Sequence, residues 1–158
     1  MNGEELRRSY SICSSPLDKQ HLRIAVKKVP GGRASTQLVE KLKPGMSIEV
    51  MSPMGSFTTP FDPANQRNIV AFAAGSGITP ILSILKTLLR TEPNSTFTLF
   101  YGNTDVDRII FRQRLEELKA QYSERLKVFH ILSKGVDEEK LFNGRITTEK
   151  AAELVKRF

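Results

Sequence analysis

Metal-binding and redox-active side chains are almost missing from this chain. Cys13 is the only cysteine among 158 residues, and His21 and His130 are the only histidines. A disulfide within the chain is excluded, and its own thiolates assemble neither a zinc site nor an iron–sulfur cluster. Any iron–sulfur partner therefore lies outside these residues. Long apolar runs are missing too, since none reaches the roughly 20 residues needed to cross a bilayer. The opening residues Met1 to Glu5 carry acids where a secretory signal carries a basic and then an apolar stretch. Together these absences predict a soluble, cytoplasmic protein with no membrane partner. The formal net charge is +7, but the basic residues are scattered (Arg7, Arg8, Lys27, Lys28, Arg33, Lys41, Lys43, Arg112, Arg114, Arg125) and form no block of the nucleic-acid-arm type. No basic motif interleaved with aromatics occurs, so nucleic acid is not an expected partner. No Tyr-x-x-x-Lys pair is present, which argues against a flavin-independent short dehydrogenase.

What is present divides into two halves with different hydrophobic periods. Leu22, Ile24 and Val26 alternate with Arg23, Ala25 and Lys27, and Met46, Ile48 and Val50 alternate with Ser47 and Glu49. Period-two alternation predicts half-buried antiparallel strands. Between them Pro30-Gly31-Gly32 breaks the chain, and Ser35 or Thr36 is placed to cap a short helix running to about Leu42. Roughly three strands fit into this half, too few to close a barrel. Pro53, Gly55, Pro60 and Pro63 mark a linker over residues 52–66, dividing a domain over 1–62 from another over 63–158. Beyond it, the apolar run 69–74 reads as a strand covered on both faces. Ile81, Leu82, Ile84, Leu85, Leu88 and Leu89 follow helical spacing, and a strand over 97–101 comes next. A helix with Phe111, Leu115, Leu118 and Tyr122 on one stripe, a strand over 126–132 and a helix from Thr147 or Thr148 repeat the alternation. The predicted fold is an incomplete antiparallel β-barrel followed by an α/β parallel-sheet nucleotide-binding domain.

Three segments carry candidate chemistry. Gly75-Ser76-Gly77-Ile78-Thr79-Pro80 lies between a strand and a helix, with glycines that let backbone approach a ligand and a helix start whose free N–H groups favour an anion. Thr79 is the expected cap. This is neither the GxGxxG fingerprint nor a P-loop, so a plain strand-to-helix turn stays open as a reading. Arg8-Ser9-Tyr10-Ser11 offers a guanidinium for a diphosphate, a ring for a flavin or ribose and a hydroxyl for a flavin edge; by itself such a stretch is more often an exposed strand edge than a site. Gly31-Gly32-Arg33-Ala34-Ser35-Thr36 again puts glycine ahead of a helix start. Taken jointly, the three point to two nucleotides, one on each domain.

These segments, with residues 51–57 and Phe100-Tyr101-Gly102-Asn103, resemble in order and spacing the ferredoxin-NADP reductase superfamily, and within it the reductase components of bacterial multicomponent oxygenases of the phenylacetate-degradation type. The resemblance covers essentially the whole chain. It implies FAD and NAD(P)H as cofactors and a flavin-dependent NAD(P)H oxidoreductase that passes electrons to an iron–sulfur domain or oxygenase component. It assigns Arg8 to the FAD pyrophosphate, Ser9 and Tyr10 to the flavin, and Ser11 to a flavin hydrogen bond. Val26, Lys27 and Lys28 would border the cofactor, and Gly32, Ala34, Ser35 and Thr36 would hold its pyrophosphate. Gly75, Ser76, Gly77, Ile78, Thr79 and Pro80 would receive NAD(P)H, with Thr79 beside the hydride path, and Tyr101, Gly102 and Asn103 would lie by the adenine ribose. Ser11 and Thr79 are thus the candidate catalytic residues, and no acid–base pair is expected.

Relatives of this kind also carry earlier barrel strands and a later Cys-Gly-Pro strand, neither of which occurs here, and Thr104 stands where many have arginine. The resemblance therefore leaves NADH and NADPH undivided. It also implies that these 158 residues by themselves hold FAD weakly and self-associate through the open barrel. A non-enzymatic dinucleotide-binding or docking module with the same fold is the alternative reading.

Overall fold

The computed structural model describes residues 5–135 and 137–158, so the acidic opening residues 1–4 lie outside the described part. Its ordered centre is a sheet of three parallel strands, β1 (Asn68–Ala74), β2 (Thr96–Asn103) and β3 (Leu126–Leu132), hydrogen-bonded in that order. Ala73 of β1 is level with Tyr101 of β2, which is level with His130 of β3. Helix α2 (Ile78–Thr91) joins β1 to β2, and α3 (Arg112–Gln121) joins β2 to β3. Each connection is long enough to return the chain to the same end of the sheet, as parallel pairing requires.

Because successive strand residues point to opposite faces, β2 feeds two cores. Phe97, Leu99 and Tyr101 pack with Leu85 and Leu88 of α2 and Leu115 and Leu118 of α3. Phe100 faces the other way, with Ile131, Leu141 and Leu154, the last from α4 (Thr148–Arg157). On that second face Phe72, Phe100 and Phe129 stack in a row across the three strands at 5.2 and 5.3 Å between ring centroids. Thr147 caps α4 by accepting from the Lys150 N–H.

β1 departs from the expectation of burial on both faces. Ile69, Ala71 and Ala73 turn to the first core, while Val70 and Phe72 are exposed at 41% and 36%. No described element covers that side of β1, which pairs only with β2.

The first half departs further. Among the described residues it holds no strand, only an isolated antiparallel bridge between Ile12 and Ile24. The alternation at Leu22, Ile24, Met46, Ile48 and Val50 is present, but a ladder needs a neighbouring strand for its N–H and C=O groups and a surface for its apolar face. Apart from the bridge at Ile24 these side chains find neither, and all of them are exposed. Among the described residues the barrel part of the predicted fold is therefore not present as a sheet. The short helix also starts earlier than expected: α1 (Arg33–Thr36) has Gly32 as its N-cap and continues as a π turn over Gln37–Lys41. Ser35 is no cap because its hydroxyl accepts from the Val29 N–H at 3.1 Å and closes the preceding turn.

The stretch between the halves is pinned by a buried ion pair. Glu92, fully buried, receives Arg67 Nη2 at 2.5 Å, Asn65 Nδ2 at 2.9 Å and the Ser95 hydroxyl at 2.7 Å. Arg67 also donates to the Pro60 carbonyl and the Thr59 hydroxyl, so one guanidinium ties residues 59–67 to the α2–β2 turn.

Candidate functional site

The glycine segment lies where β1 ends. Gly75 has φ +49°, a conformation that residues with a Cβ rarely adopt, and Gly75–Gly77 make one 3₁₀ turn leading into α2. Gly77 is the N-cap of α2, not Thr79, because the helix already begins at Ile78. Thr79 lies inside the first turn, buried, with its hydroxyl donating to the Ser76 carbonyl at 2.9 Å. Pro80 also falls within the first turn, where a missing N–H costs nothing. The Gly75 carbonyl accepts from the Tyr101 hydroxyl at 2.9 Å. The Gly75 and Ser76 carbonyls are thus held by side chains and by the Ile78 N–H, and a helix start, whose first N–H groups lack intrahelical partners and whose dipole favours an anion, follows directly. A Cβ built at Gly75 or Gly77 would meet nothing within 4 Å, so open space lies in front of the turn.

The three residues ending β2 play three different parts. Tyr101 is fully buried, and burial pushes its phenol up; it touches the glycine turn from within the core. Gly102 faces Ile146, whose Cδ1 would lie 3.2 Å from an added Cβ, so here glycine serves close packing. Asn103, on the same face as Tyr101, is 9% exposed, and its buried Nδ2 lies beside the Tyr101 phenol without a well-formed hydrogen bond. Open space at a helix start and a polar amide at the carboxyl ends of parallel strands fit the phosphate and ribose of a dinucleotide.

In the first half Arg8, Ser9 and Ser11 are exposed and Tyr10 is half-buried. Arg8 Nη1 rests on the Arg7 carbonyl at 2.6 Å. Val26 is half-buried, Lys27 is exposed, and Lys28 pairs with Glu40 at 2.5 Å. Ala34 and Thr36 are half-buried; Gly32 is required by the turn itself, since a Cβ there would sit 2.7 Å from Ser35 Oγ. The Ser35 hydroxyl is therefore already committed within the fold. Exposed hydroxyl and cationic donors beside an aromatic ring suit a flavin bearing a diphosphate.

A set of contacts that sequence reasoning misses joins the two halves. Just beyond Ser11, residues Cys13, Ser14 and Ser15 are buried against α2. Ser15 Oγ and Thr87 Oγ1 are 2.8 Å apart, Ser83 Oγ donates to the Ser14 carbonyl at 2.6 Å, and Arg90 pairs with Asp18 at 2.5 Å. The Arg90 hydrogen bond holds the Asp18 carboxyl below its ordinary value. The signal is present as Ser83, Thr87 and Arg90, a polar stripe at i, i+4 and i+7 along one line of α2. A concavity of about 960 Å³ nearby, lined by Arg23, Lys86, Arg90 and Arg114, borders none of the glycine-turn residues.

The oxidoreductase NAD-binding domain family matches residues 72–157, and the oxidoreductase FAD-binding domain family matches residues 1–59. The chain belongs to the ferredoxin-NADP reductase family. One component of the 1,2-phenylacetyl-CoA epoxidase of Escherichia coli K12 is 46% identical over 153 residues, covering 97% of this chain and 43% of that protein. The chain thus spans less than half the length of this curated relative. Among solved structures, the CS-b5R domains of human Ncb5or in the NAD+ form superpose over all of this chain and 47% of theirs, with TM-score 0.79 and 27% identity. Phthalate dioxygenase reductase, described as a modular structure for electron transfer from pyridine nucleotides to [2Fe-2S], superposes over 85% of this chain and 40% of its own, with TM-score 0.62 and 28% identity. FAD and NAD(P)H are accordingly the cofactors of the two family domains. Among the described residues no group of histidine, cysteine and carboxylate side chains could hold a metal, and no helix is long and apolar enough to cross a membrane.

Proposed function

We propose that this chain supplies flavin- and dinucleotide-binding residues of an NAD(P)H-dependent reductase that feeds electrons to the iron–sulfur centre of an oxygenase system in the cytoplasm. The observation that carries the reading is the glycine turn at the start of α2: its carbonyls are tied back by Tyr101 and Thr79, and open space lies where a side chain of Gly75 or Gly77 would go. When bound, the cofactors supply the chemistry, a hydride from the dihydronicotinamide to the flavin and single electrons onward.

The protein's part is binding and orientation. Gly75, Ser76 and Gly77 receive the NAD(P)H pyrophosphate on backbone N–H groups at the start of α2, with Ile78, Thr79 and Pro80 shaping that first turn. Thr79 acts by holding the Ser76 carbonyl, which makes it a positioning residue. Asn103 donates to the ribose side. Arg8 pairs with the flavin diphosphate, Tyr10 lies against the ring and Ser11 hydrogen-bonds its edge, while Val26, Lys27, Gly32, Ala34 and Thr36 border the cofactor. The oxygenase reading is supported by the named functions of the epoxidase component and of phthalate dioxygenase reductase.

Gly77→Val tests the reading. Gly77 has an ordinary helical φ and no neighbour where a side chain would go, so the variant should fold, keep its flavin and lose most of its reduction by NAD(P)H. Anaerobic stopped-flow reduction at the parent rate would overturn it. Arg8→Ala is expected to lower flavin content while the melting temperature stays near that of the parent.

A further inference from the structure

The contacts between residues 13–18 and α2 lie away from both proposed cofactor sites, yet they join the segments that carry them. Ser11 is four residues before Ser15. At the other end, α2 begins directly after the glycine turn. Ser15 and Thr87 are each 2% exposed, and their hydroxyls meet at 2.8 Å inside the protein. Each has a second bond: Thr87 Oγ1 donates to the Ser83 carbonyl at 2.7 Å, and Ser15 Oγ accepts from the Leu17 N–H at 3.2 Å. Because Thr87 gives its proton to Ser83, the Ser15 hydroxyl is the donor of the shared bond. One helical turn earlier Ser83 holds the Ser14 carbonyl, and one turn later Arg90 holds Asp18. Residues 12–24 are also locked to one another, with the Cys13 N–H on the Arg23 carbonyl at 2.8 Å and the Arg23 N–H on Ser14 Oγ at 3.1 Å.

We infer that Ser15 and Thr87, seconded by Ser83, are positioning residues that set the place of the Tyr10–Ser11 segment relative to the glycine turn, and with it the approach of dihydronicotinamide to flavin. The reason is mechanical. Within its length α2 is a rigid rod of backbone hydrogen bonds, so a displacement of its polar stripe moves the turn at its N-terminus. Apolar contacts at Cys13 slide at little cost, whereas a buried hydroxyl pair has one geometry and leaves an unsatisfied group if it slips. Hydride transfer needs reacting atoms about 3–3.5 Å apart, and misplacement by about 1 Å can cost roughly a hundredfold in rate.

This inference rests on the proposed reductase function. Its test compares Thr87→Val, which keeps the shape and removes the hydroxyl, with Thr87→Ser, which keeps the hydroxyl. In the flavin-loaded protein Thr87→Val should slow the hydride-transfer phase of stopped-flow reduction by roughly ten- to a hundredfold. Flavin content and the NAD(P)H concentration at half-saturation should change less than about twofold, and Thr87→Ser should restore most of the rate. In the chain without ligands, hydrogen–deuterium exchange in Thr87→Val should quicken both at residues 9–15 and at residues 75–78. Ser83→Ala, at a half-buried position, should show the same pattern more weakly and serves if Thr87→Val does not fold. A lowered melting temperature with the hydride rate unchanged, or exchange quickened only around residues 83–90, would overturn the inference. A parent protein that NAD(P)H does not reduce would instead overturn the reductase reading.

Discussion

The two halves of this chain carry similarly regular apolar patterns and meet different fates. In the second half every strand of the sheet has a parallel neighbour, and β2 is buried on both faces, with Phe97, Leu99, Phe100 and Tyr101 at 1% exposure or less. In the first half the alternating residues are as apolar, yet Leu22 is 69% and Val50 78% exposed, and the only pairing among the described residues is the bridge of Ile12 with Ile24. The difference lies in what each pattern finds to pack on. A helix satisfies its own backbone, and a βαβ unit brings its own covering helix, so residues 68–132 contain most of what they need. An antiparallel strand borrows both its hydrogen bonds and its cover from elsewhere.

Substitutions should read this contrast as a gradient. Leu99→Ala, in the middle of β2, is expected to cost about 2–5 kcal/mol in urea unfolding. Val50→Ala should stay within about 0.5 kcal/mol. Equal losses at the two positions would mean that the first half is as well packed as the second.

Arg67→Met comes next, since it leaves the Glu92 carboxylate buried without its cation, and a loss of about 3 kcal/mol is expected. The same group makes stability depend on acid. Burial raises the Glu92 pKa, but hydrogen bonds from Arg67, Asn65, Ser95 and the Asp62 N–H outweigh it and bring the carboxyl from 4.5 to about 2. The folded value is the depressed one, so this contribution is full above pH 4.5 and is lost as pH falls towards 2. In Glu92→Gln that part of the acid sensitivity should vanish, which denaturation at a series of pH values can check.

Thr147→Ala, which removes the cap of α4, should cost about 1 kcal/mol without touching the glycine turn. The mildest probe is chemical. Cys13 is buried at 5% exposure, and its Sγ lies 3.3 Å from the Arg23 carbonyl. A thiol reagent should therefore label it only through opening, and Thr87→Val should speed labelling without changing the global unfolding midpoint by more than a small amount. Immediate labelling of the parent chain would show that residues 13–23 do not rest on α2.

The legibility of the sequence follows the same division. The third strand is readable over 126–132 because Leu126 and Val128 are buried on the first-core face and Ile131 on the other. The glycine segment is readable because glycine at φ +49° has few other uses. That Thr79 and Tyr101 hold the turn is not legible, because a polar group near a binding turn is as useful for holding backbone as for touching a ligand, and only coordinates tell which way it points. Ser35 repeats that lesson at the other helix start. The Ser15–Thr87 contact is out of reach, because 72 residues separate its partners and no local pattern reports such a distance.

That separation bears on how the protein is made. Ser15 leaves the ribosome 72 residues ahead of Thr87, which at roughly 5–20 residues per second means about 4 to 14 s without the surface it packs on. During that interval Cys13, Ser14 and Ser15 lack the helix that buries them, and the segment is tethered but unanchored. Nascent chains arrested before α2 emerges should accordingly be the ones that holdase chaperones grip and proteases cut within residues 10–30, and both liabilities should fall once residue 90 has cleared the exit tunnel.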